Sequence, residues 1–316
     1  MIAFCVLTLI ALLPVQARPA EAGWQARATE HFQLRYPSSV EPIARNLLPR
    51  LEPLRTAIMT DLSIQDQGLI LVVLAPDRPS FFALQPPGVP DWASGTSYPE
   101  TRTIFLRPLD SLEIRANTLS GIFAHELAHL LLHRRLSGRS VPRWLDEGIA
   151  NRYGRSLEWD FPGPLLGVGV TGNYLPFATL RDGFPETGPQ ARLAYAESTD
   201  FVQFLKRSYG PAAFNTFLDH LAAGEELDPS LQAAFGRDLA SLSSAWLKHV
   251  RLSYGLVGLL TGAIPLWFAI SLLALWAYAR KRKTSRRRRE LWELEDRAAA
   301  LPAADDEDGA APPTVH

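Results

Sequence analysis

The chain has 316 residues, of which 47% are hydrophobic and 21% are charged, with a formal net charge of -1 at pH 7. This composition is typical of a globular protein with enough apolar residues for one large core or two small ones. The near-neutral charge argues against a nucleic-acid-binding protein, because such domains usually carry a strong basic excess that neutralises phosphate.

An apolar run opens the chain and predicts a signal peptide over residues 1–22. About a dozen apolar residues are followed by small residues suited to cleavage. No basic residue precedes the run, so an uncleaved anchor is the alternative. The only cysteine, Cys5, lies within this run, and the mature chain is therefore expected to have no disulfide bond.

Residues 23–250 are predicted to form an α+β domain in which a small sheet precedes a helical bundle. Alternating apolar residues in HFQLRYP predict a half-buried strand, and the continuous apolar run GLILVVLAP predicts a buried one. Between them lies a segment with helical apolar spacing, which Pro53 is expected to interrupt. A further strand is predicted for RTIFLRPL, which begins at Arg102, and the segments beyond it are mainly helical.

The segment FAHELAHLLLHRR, which begins at Phe123, predicts a metal-binding helix. Residues four apart in an α-helix lie about 6 Å apart along the axis and about 40° around it. His125 and His129 can therefore direct imidazole nitrogens at one ion, while Glu126 lies beside the metal, where a base could take a proton from bound water. His133 lies about 12 Å from His125 in a straight helix, so it is expected to pack or to support the site.

A tight zinc site needs a third ligand, and Glu147 is the predicted one. It lies in SVPRWLDEGIANRYG, where Ser140 and Pro142 predict the start of a helix and Gly154 its end. A short loop joins this helix to the first, so a helix hairpin can bring the Glu147 carboxylate against both imidazoles and leave a fourth position open to water. Asp146 is the rival ligand, but it lies about 100° around the helix and is expected to face away.

Toward the carboxyl end, residues 254–279 contain no charged residue and predict a transmembrane helix. The segment has about 26 residues, enough to cross about 30 Å of hydrocarbon, and a buried core helix is the alternative. The basic run RKRKTSRRRR follows, and such runs mark the cytoplasmic flank of membrane helices. We therefore expect a single-pass cell-membrane protein whose 23–250 domain is extracytoplasmic. Its cytoplasmic tail over 280–316 is expected to be largely disordered, except for a short helix around Leu291, with a basic segment that contacts membrane lipid.

The pairing of HELAH with WLDEGIA resembles the gluzincin zinc metallopeptidases, and in particular their peptidase-MA-like domains. The resemblance extends to the strand EHFQLRYP, to YLPFATL from Tyr174 and to AYAESTDFVQFLKRSYG from Ala194. It implies a thermolysin-like, gluzincin catalytic domain, with a small mixed sheet followed by a helical bundle.

Carried over by position, the family's zinc ligands fall on His125, His129 and Glu147, and its general base and acid falls on Glu126. The implied reaction is peptide hydrolysis, in which one zinc ion lowers the pKa of its bound water toward about 7 and polarises the scissile carbonyl. The chain departs from the family at Asn151, where many members have an acidic residue that orients the first histidine. An amide raises ligand basicity less, so metal affinity or rate is expected to be lower.

The resemblance also implies a group that stabilises the tetrahedral oxyanion. Tyr195 is the family-like candidate, and Tyr153 is the alternative. The implied edge against which an extended substrate pairs is the strand RTIFLRPL, and the expected partner is a peptide or protein of the cell envelope. Two other functions stay open: a catalytically inactive peptidase-like domain that acts as a membrane-tethered binding or scaffold protein, and a zinc hydrolase of non-peptide amides.

Overall fold

A computed structural model describes residues 23–109, 112–154, 163–185, 188–255 and 263–299 of the chain. The chain divides into two compact units, Met1–Leu256 and Val257–His316. The first unit contains the sheet and the helices that carry the candidate site. The predicted signal peptide over 1–22 lies outside the described residues and stays a prediction.

Five strands form one mixed sheet at the start of the first unit. In chain order they are β1 (Trp24–Ala28), β2 (Phe32–Pro37), β3 (Ile70–Leu74), β4 (Gly95–Tyr98) and β5 (Thr103–Leu106). Their order across the sheet is β1-β2-β3-β5-β4. The central strands β2, β3 and β5 are parallel, whereas β1 and β4 pair antiparallel at the two edges. Such central strands require apolar residues on both faces, which explains the continuous run in β3.

The sheet corrects the prediction about the substrate edge. The segment RTIFLRPL contains β5, but β5 lies inside the sheet, hydrogen bonded to β3 on one side and to β4 on the other. The edge strand next to β5 is β4, which the sequence pattern did not predict. With four residues, Gly95–Tyr98 is too short to show the periodicity of a strand.

Helix α1 (Glu41–Asp61) forms the crossover between the parallel strands β2 and β3. The helix continues through Pro49 and Pro53, so the predicted interruption at Pro53 is wrong. Each proline removes one backbone hydrogen bond, but the fully buried Leu51 and its apolar neighbours hold this face against the core. Packing of the buried face therefore outweighs the local preference.

The α-helices described in the remainder of the first unit carry the candidate site and its supports. They are α2 (Arg78–Ala83), α3 (Leu112–Arg135), α4 (Arg143–Gly154), α5 (Gly163–Thr171), α6 (Gly188–Ala223), α7 (Leu227–Phe235) and α8 (Leu239–Val250). Helix α4 packs between α3 and α6. A buried aromatic cluster supports this layer, with the Phe177 and Phe201 rings stacked at 4.0 Å and Trp144 on one side of them. A mixed sheet followed by a helical bundle agrees with the predicted α+β class.

The second unit contains the described helix α9 (Ala263–Ala299). None of the helices in the described ranges is long and apolar enough to cross a membrane. The predicted transmembrane helix over 254–279 is therefore wrong, and so is the single-pass membrane localisation derived from it.

The first residue of the predicted span belongs to the first unit instead. Tyr254 lies in a π-helical turn, Arg251–Gly255, and its hydroxyl donates to Asp200 Oδ1 at 2.9 Å. Residues 280–299 continue α9, whereas a largely disordered tail was predicted. Their arginine, leucine and glutamate residues all have good helix propensity. Residues 300–316 lie outside the described part of the chain.

Candidate active site

Three side chains from α3 and α4 converge on one point. His125 and His129 project from α3, and Glu147 projects from α4. The Nε2 atoms of the histidines are 3.0 Å apart, and Glu147 Oε2 lies 3.6 Å from Nε2 of His125 and 3.7 Å from Nε2 of His129. Bonds of about 2.0 to 2.1 Å to a tetrahedral zinc ion place neighbouring ligand atoms about 3.3 Å apart. The three atoms therefore have the spacing of ligands to one zinc ion.

The surroundings of Glu147 also fit a cation. Its side chain is 5% exposed, and Oε2 has no hydrogen-bond partner among the described residues. Arg143 pairs with Oε1 of this carboxylate, but a buried oxygen without a hydrogen-bond partner, such as Oε2, costs about 1 to 3 kcal/mol, and a metal ion bound to Oε2 would remove this cost. Two imidazoles and one carboxylate are, in addition, a donor set of catalytic zinc sites. Donor chemistry, spacing and the unpaired oxygen are thus compatible with a zinc ion at this point.

Helix α4 holds Glu147 in place because it packs very closely on α6. A Cβ atom at Gly148 would lie 2.4 Å from the backbone oxygen of Ser198 and 2.7 Å from Val202 Cγ2. At the end of α4, a Cβ atom at Gly154 would lie 3.1 Å from the Cβ of His125. The glycine after the third candidate ligand is therefore a consequence of close helix packing.

Asp146 orients the second histidine from outside the set of candidate ligands. Its Oδ1 lies 2.7 Å from His129 Nδ1, so Nδ1 donates and Nε2 is the nitrogen left for a metal. His133 also contacts the Asp146 side chain, with its Nε2 atom 3.7 Å from Oδ2, and it does not lie at the candidate metal position. The prediction that Asp146 faces away is wrong, because α4 packs along α3 and presents both neighbouring carboxylates to successive turns of that helix.

Asn151 takes a comparable position beside the first histidine. Its side chain is hydrogen bonded to the His125 ring, and its amide nitrogen is buried without a hydrogen-bond partner among the described residues. Since a neutral amide oxygen accepts a weaker hydrogen bond than a carboxylate does, His125 is expected to be the less basic of the two histidine ligands.

The pKa values of the two histidines also indicate that His125 is the less basic one. Burial, together with the charge of His129, lowers the pKa of His125 to about 3, so this ring is a neutral donor at pH 7. Burial disfavours charge on His129 too, but the Asp146 carboxylate outweighs it and raises the pKa of His129 to about 10. Burial raises the pKa of Glu147. A cation at this point competes with the His129 proton, so metal binding is expected to release protons.

Glu126 lies against the edge strand β4. Ser97 of β4 donates from Oγ to Glu126 Oε2 at 3.0 Å, and a Cβ atom at Gly95 would come within 3.0 Å of Oε1. Burial raises the pKa of Glu126 to about 7, against the opposing charge of His129. A carboxyl group with such a pKa can accept and release a proton near neutral pH. Sequence reasoning missed Ser97, because nothing in a four-residue edge strand indicates which helix it faces.

The two tyrosines considered for oxyanion stabilisation lie in different surroundings. Tyr195 of α6 is hydrogen bonded to Arg143, whose guanidinium also lies 2.6 Å from Glu147 Oε1. Tyr153 instead donates its hydroxyl to Asp61 at the end of α1. The structure therefore brings Tyr195 to the candidate metal cluster and engages Tyr153 elsewhere. Sequence reasoning also missed Arg143, although its position one helical turn before Glu147 was a usable signal.

The fold and the site together define the class of protein. A mixed sheet, followed by a helix hairpin that places two histidines and one glutamate together, is the arrangement of a gluzincin-type zinc metallopeptidase domain. The chain matches the family model of the Peptidase MA superfamily over residues 87–252, more than half of its length. The protein belongs to this superfamily, and the peptidase-MA-like assignment made from its motifs is confirmed.

The chain also aligns with parts of larger solved structures. A mutant of the M1 zinc metallopeptidase from Deinococcus radiodurans aligns with 71% of this chain at 14% identity, with a TM-score of 0.43, over 52% of its own length. Yeast LTA4 hydrolase in complex with Bestatin aligns with 74% of this chain at 15% identity, with a TM-score of 0.42, over 38% of its own length. The chain thus spans about half or less of these structures. No curated protein matches it.

Proposed function

We propose that the protein is a zinc-dependent peptidase that uses His125, His129 and Glu147 as metal ligands and Glu126 as general base. The observation that carries the proposal is the spacing of three donor atoms, between 3.0 and 3.7 Å, around a point where Glu147 Oε2 has no described partner. Membership of the Peptidase MA superfamily supports the same function.

A zinc ion held by these residues would polarise the scissile carbonyl and lower the pKa of a bound water to about 7. Glu126 accepts a proton from the attacking water and passes it to the departing amine. Its burial favours this role, because a carboxyl group with a pKa of about 7 exchanges protons readily at neutral pH. The Ser97 hydroxyl holds one carboxylate oxygen and leaves the other for the water.

The substrate is proposed to bind along β4. In the described sheet β4 is hydrogen bonded to β5 on one side only, so backbone groups on its other side can pair with an extended peptide. Gly95 and Ser97 lie on this strand within contact distance of Glu126. A peptide added to this edge therefore runs past the general base.

Tyr195 is the proposed donor to the oxyanion. It lies on α6, next to α4, and its hydroxyl is within hydrogen-bond reach of Arg143. Burial raises the pKa of Tyr195, so the hydroxyl keeps its proton at neutral pH and can donate it to a developing negative charge.

Metal analysis and a peptide digest of the purified protein test this function. Wild type is compared with Glu126→Gln and with Glu225→Gln, a control in an exposed pair with His220. We expect zinc in all three proteins and cleavage by wild type and by Glu225→Gln only. Zinc without cleavage by wild type would refute the peptidase and favour an inactive binding or scaffold domain. Absence of zinc would refute the metal centre itself.

A further inference from the structure

We infer that Arg143 is a positioning residue that sets the orientation of both Glu147 and Tyr195. The inference rests on the proposed function and extends it, because Arg143 contacts the candidate third ligand and the candidate oxyanion donor at the same time. Arg143 is the first residue of α4, one turn before Glu147, and its side chain is 45% exposed at the border of the site.

Arg143 first decides which oxygen of Glu147 is left for a metal. Its Nη2 lies 2.6 Å from Oε1, while Oε2 faces the two imidazoles without a hydrogen-bond partner among the described residues. A guanidinium at this distance competes with a metal for the Oε1 lone pairs. A metal held at this point would therefore bind Glu147 through Oε2 alone, and its coordination number would stay low.

Arg143 also determines the direction of the hydrogen bond with Tyr195. A guanidinium has only donors, so the Tyr195 oxygen must be the acceptor in this bond. The hydroxyl proton is therefore not used by Arg143, and it can point at a third group. Phe184 fixes the same pair from another side, with its ring 5.0 Å from that of Tyr195 and 5.9 Å from the guanidinium carbon.

Helix stability does not explain an arginine at this position. A cation in the first turn of a helix opposes the helix dipole, and a basic residue four positions before an acidic one is the less favourable order. Glu41 and Arg45 on α1 form an exposed pair in the favourable order, with Oε1 and Nη2 3.2 Å apart, and helix stability alone accounts for that pair. Arg143 instead lies against the buried Glu147 carboxylate and the half-buried Tyr195, and its guanidinium donates to both of them.

A lysine could replace only part of this role. The planar fork of arginine presents several donors in fixed directions, so one side chain can bind Glu147 and Tyr195 together. The ammonium group of a lysine is a single point charge on a flexible stem. Arg143→Lys is therefore expected to keep Glu147 in place more effectively than it keeps Tyr195 in place.

The test uses the full-length protein as wild type, Arg143→Met and Arg143→Lys, with Arg45→Met as matched control. Folding of each is verified by thermal unfolding. Cobalt(II) replaces zinc, because its visible absorption falls when the coordination number rises. For Arg143→Met we expect weaker cobalt absorption, about 10- to 100-fold lower zinc affinity in a chelator competition, and kcat about 100-fold lower with KM little changed. Arg143→Lys should regain most of the zinc affinity and little of kcat.

Two results separate this inference from the proposed function. Wild-type cobalt spectra, zinc affinity and kcat in both folded Arg143 variants would overturn the positioning role while leaving the peptidase intact. A wild-type protein that binds no zinc refutes the proposed function and with it this inference. If Arg143→Met does not fold, Arg143→Lys alone decides: unchanged kcat overturns the role, and reduced kcat with retained zinc supports it.

Discussion

Replacing Gly148 by alanine tests whether the packing of α4 on α6 positions the candidate metal site. The added Cβ would lie 2.4 Å from the backbone oxygen of Ser198 and 2.7 Å from Val202 Cγ2. Because a backbone oxygen cannot move without its helix, α4 and α6 would have to separate by about 1 Å. Overpacking of this kind typically costs about 1 to 3 kcal/mol. With a backbone contact we expect the upper end, about 3 kcal/mol, which is about 6 to 12 °C in Tm for a domain of this size.

Thermal unfolding and zinc titration of Gly148→Ala measure the two consequences. The matched control is Gly167→Ala in α5, where an added Cβ meets no atom within 4 Å. Alanine there favours the helix by about 0.5 to 1 kcal/mol, so the Tm should stay equal or rise. We expect Gly148→Ala to lower both Tm and zinc affinity, because α4 carries Glu147. A variant as stable as wild type, with unchanged zinc affinity, would refute the proposed link between helix packing and the site.

Three other changes test the groups around the site. Asn151→Asp places a carboxylate beside His125, so zinc should resist a competing chelator about tenfold better; release at the same chelator concentration would contradict this. Ser97→Ala removes a hydrogen bond to Glu126, the proposed general base, and we expect kcat about tenfold lower with the zinc content unchanged. Glu197 is fully buried and accepts a hydrogen bond from the backbone N–H of Leu175, and burial raises the pKa of its carboxyl group from 4.5 to about 8. Its contribution to stability is therefore complete below pH 4.5 and is lost as the pH rises to 8. The wild type loses about 1.4 kcal/mol of this stability per pH unit, and Glu197→Gln does not. The Tm of Glu197→Gln relative to wild type should therefore rise between pH 5 and 8, and a Tm difference that stays constant with pH would contradict the prediction.

The strands show where sequence patterns suffice and where they do not. Phe32 and Leu34 are fully buried in alternation with more exposed neighbours, and this period of two made β2 predictable. The edge strand β4 has only four residues, all of them half-buried, and shows no such period. Its place beside β5 depends on a hairpin and on the packing of α3 beneath it. The strand predicted to be an edge, β5, is therefore paired on both sides in the described sheet.

The carboxyl-terminal segment shows a different limit. The absence of charge over 254–279 is a property of composition alone, and a transmembrane prediction assumes that the whole run forms one helix. The tertiary structure assigns Tyr254 to the first unit, where its hydroxyl donates a hydrogen bond to Asp200. Whether an apolar residue ends one folded unit or starts the next depends on long-range contacts, which the local sequence does not contain.

Helix geometry by itself placed His125 and His129 on one face, with Glu126 beside them, because a spacing of four residues fixes both distance and angle within a single helix. The pairing of HELAH with WLDEGIA likewise indicated the superfamily without any coordinates. The position of the Glu147 carboxylate, the partner of Asp146 and the contacts of Ser97 and Arg143 were decided only by the tertiary structure. Each of these depends on how two or three separate elements pack, and side-chain packing across elements is set by shape and burial rather than by local spacing.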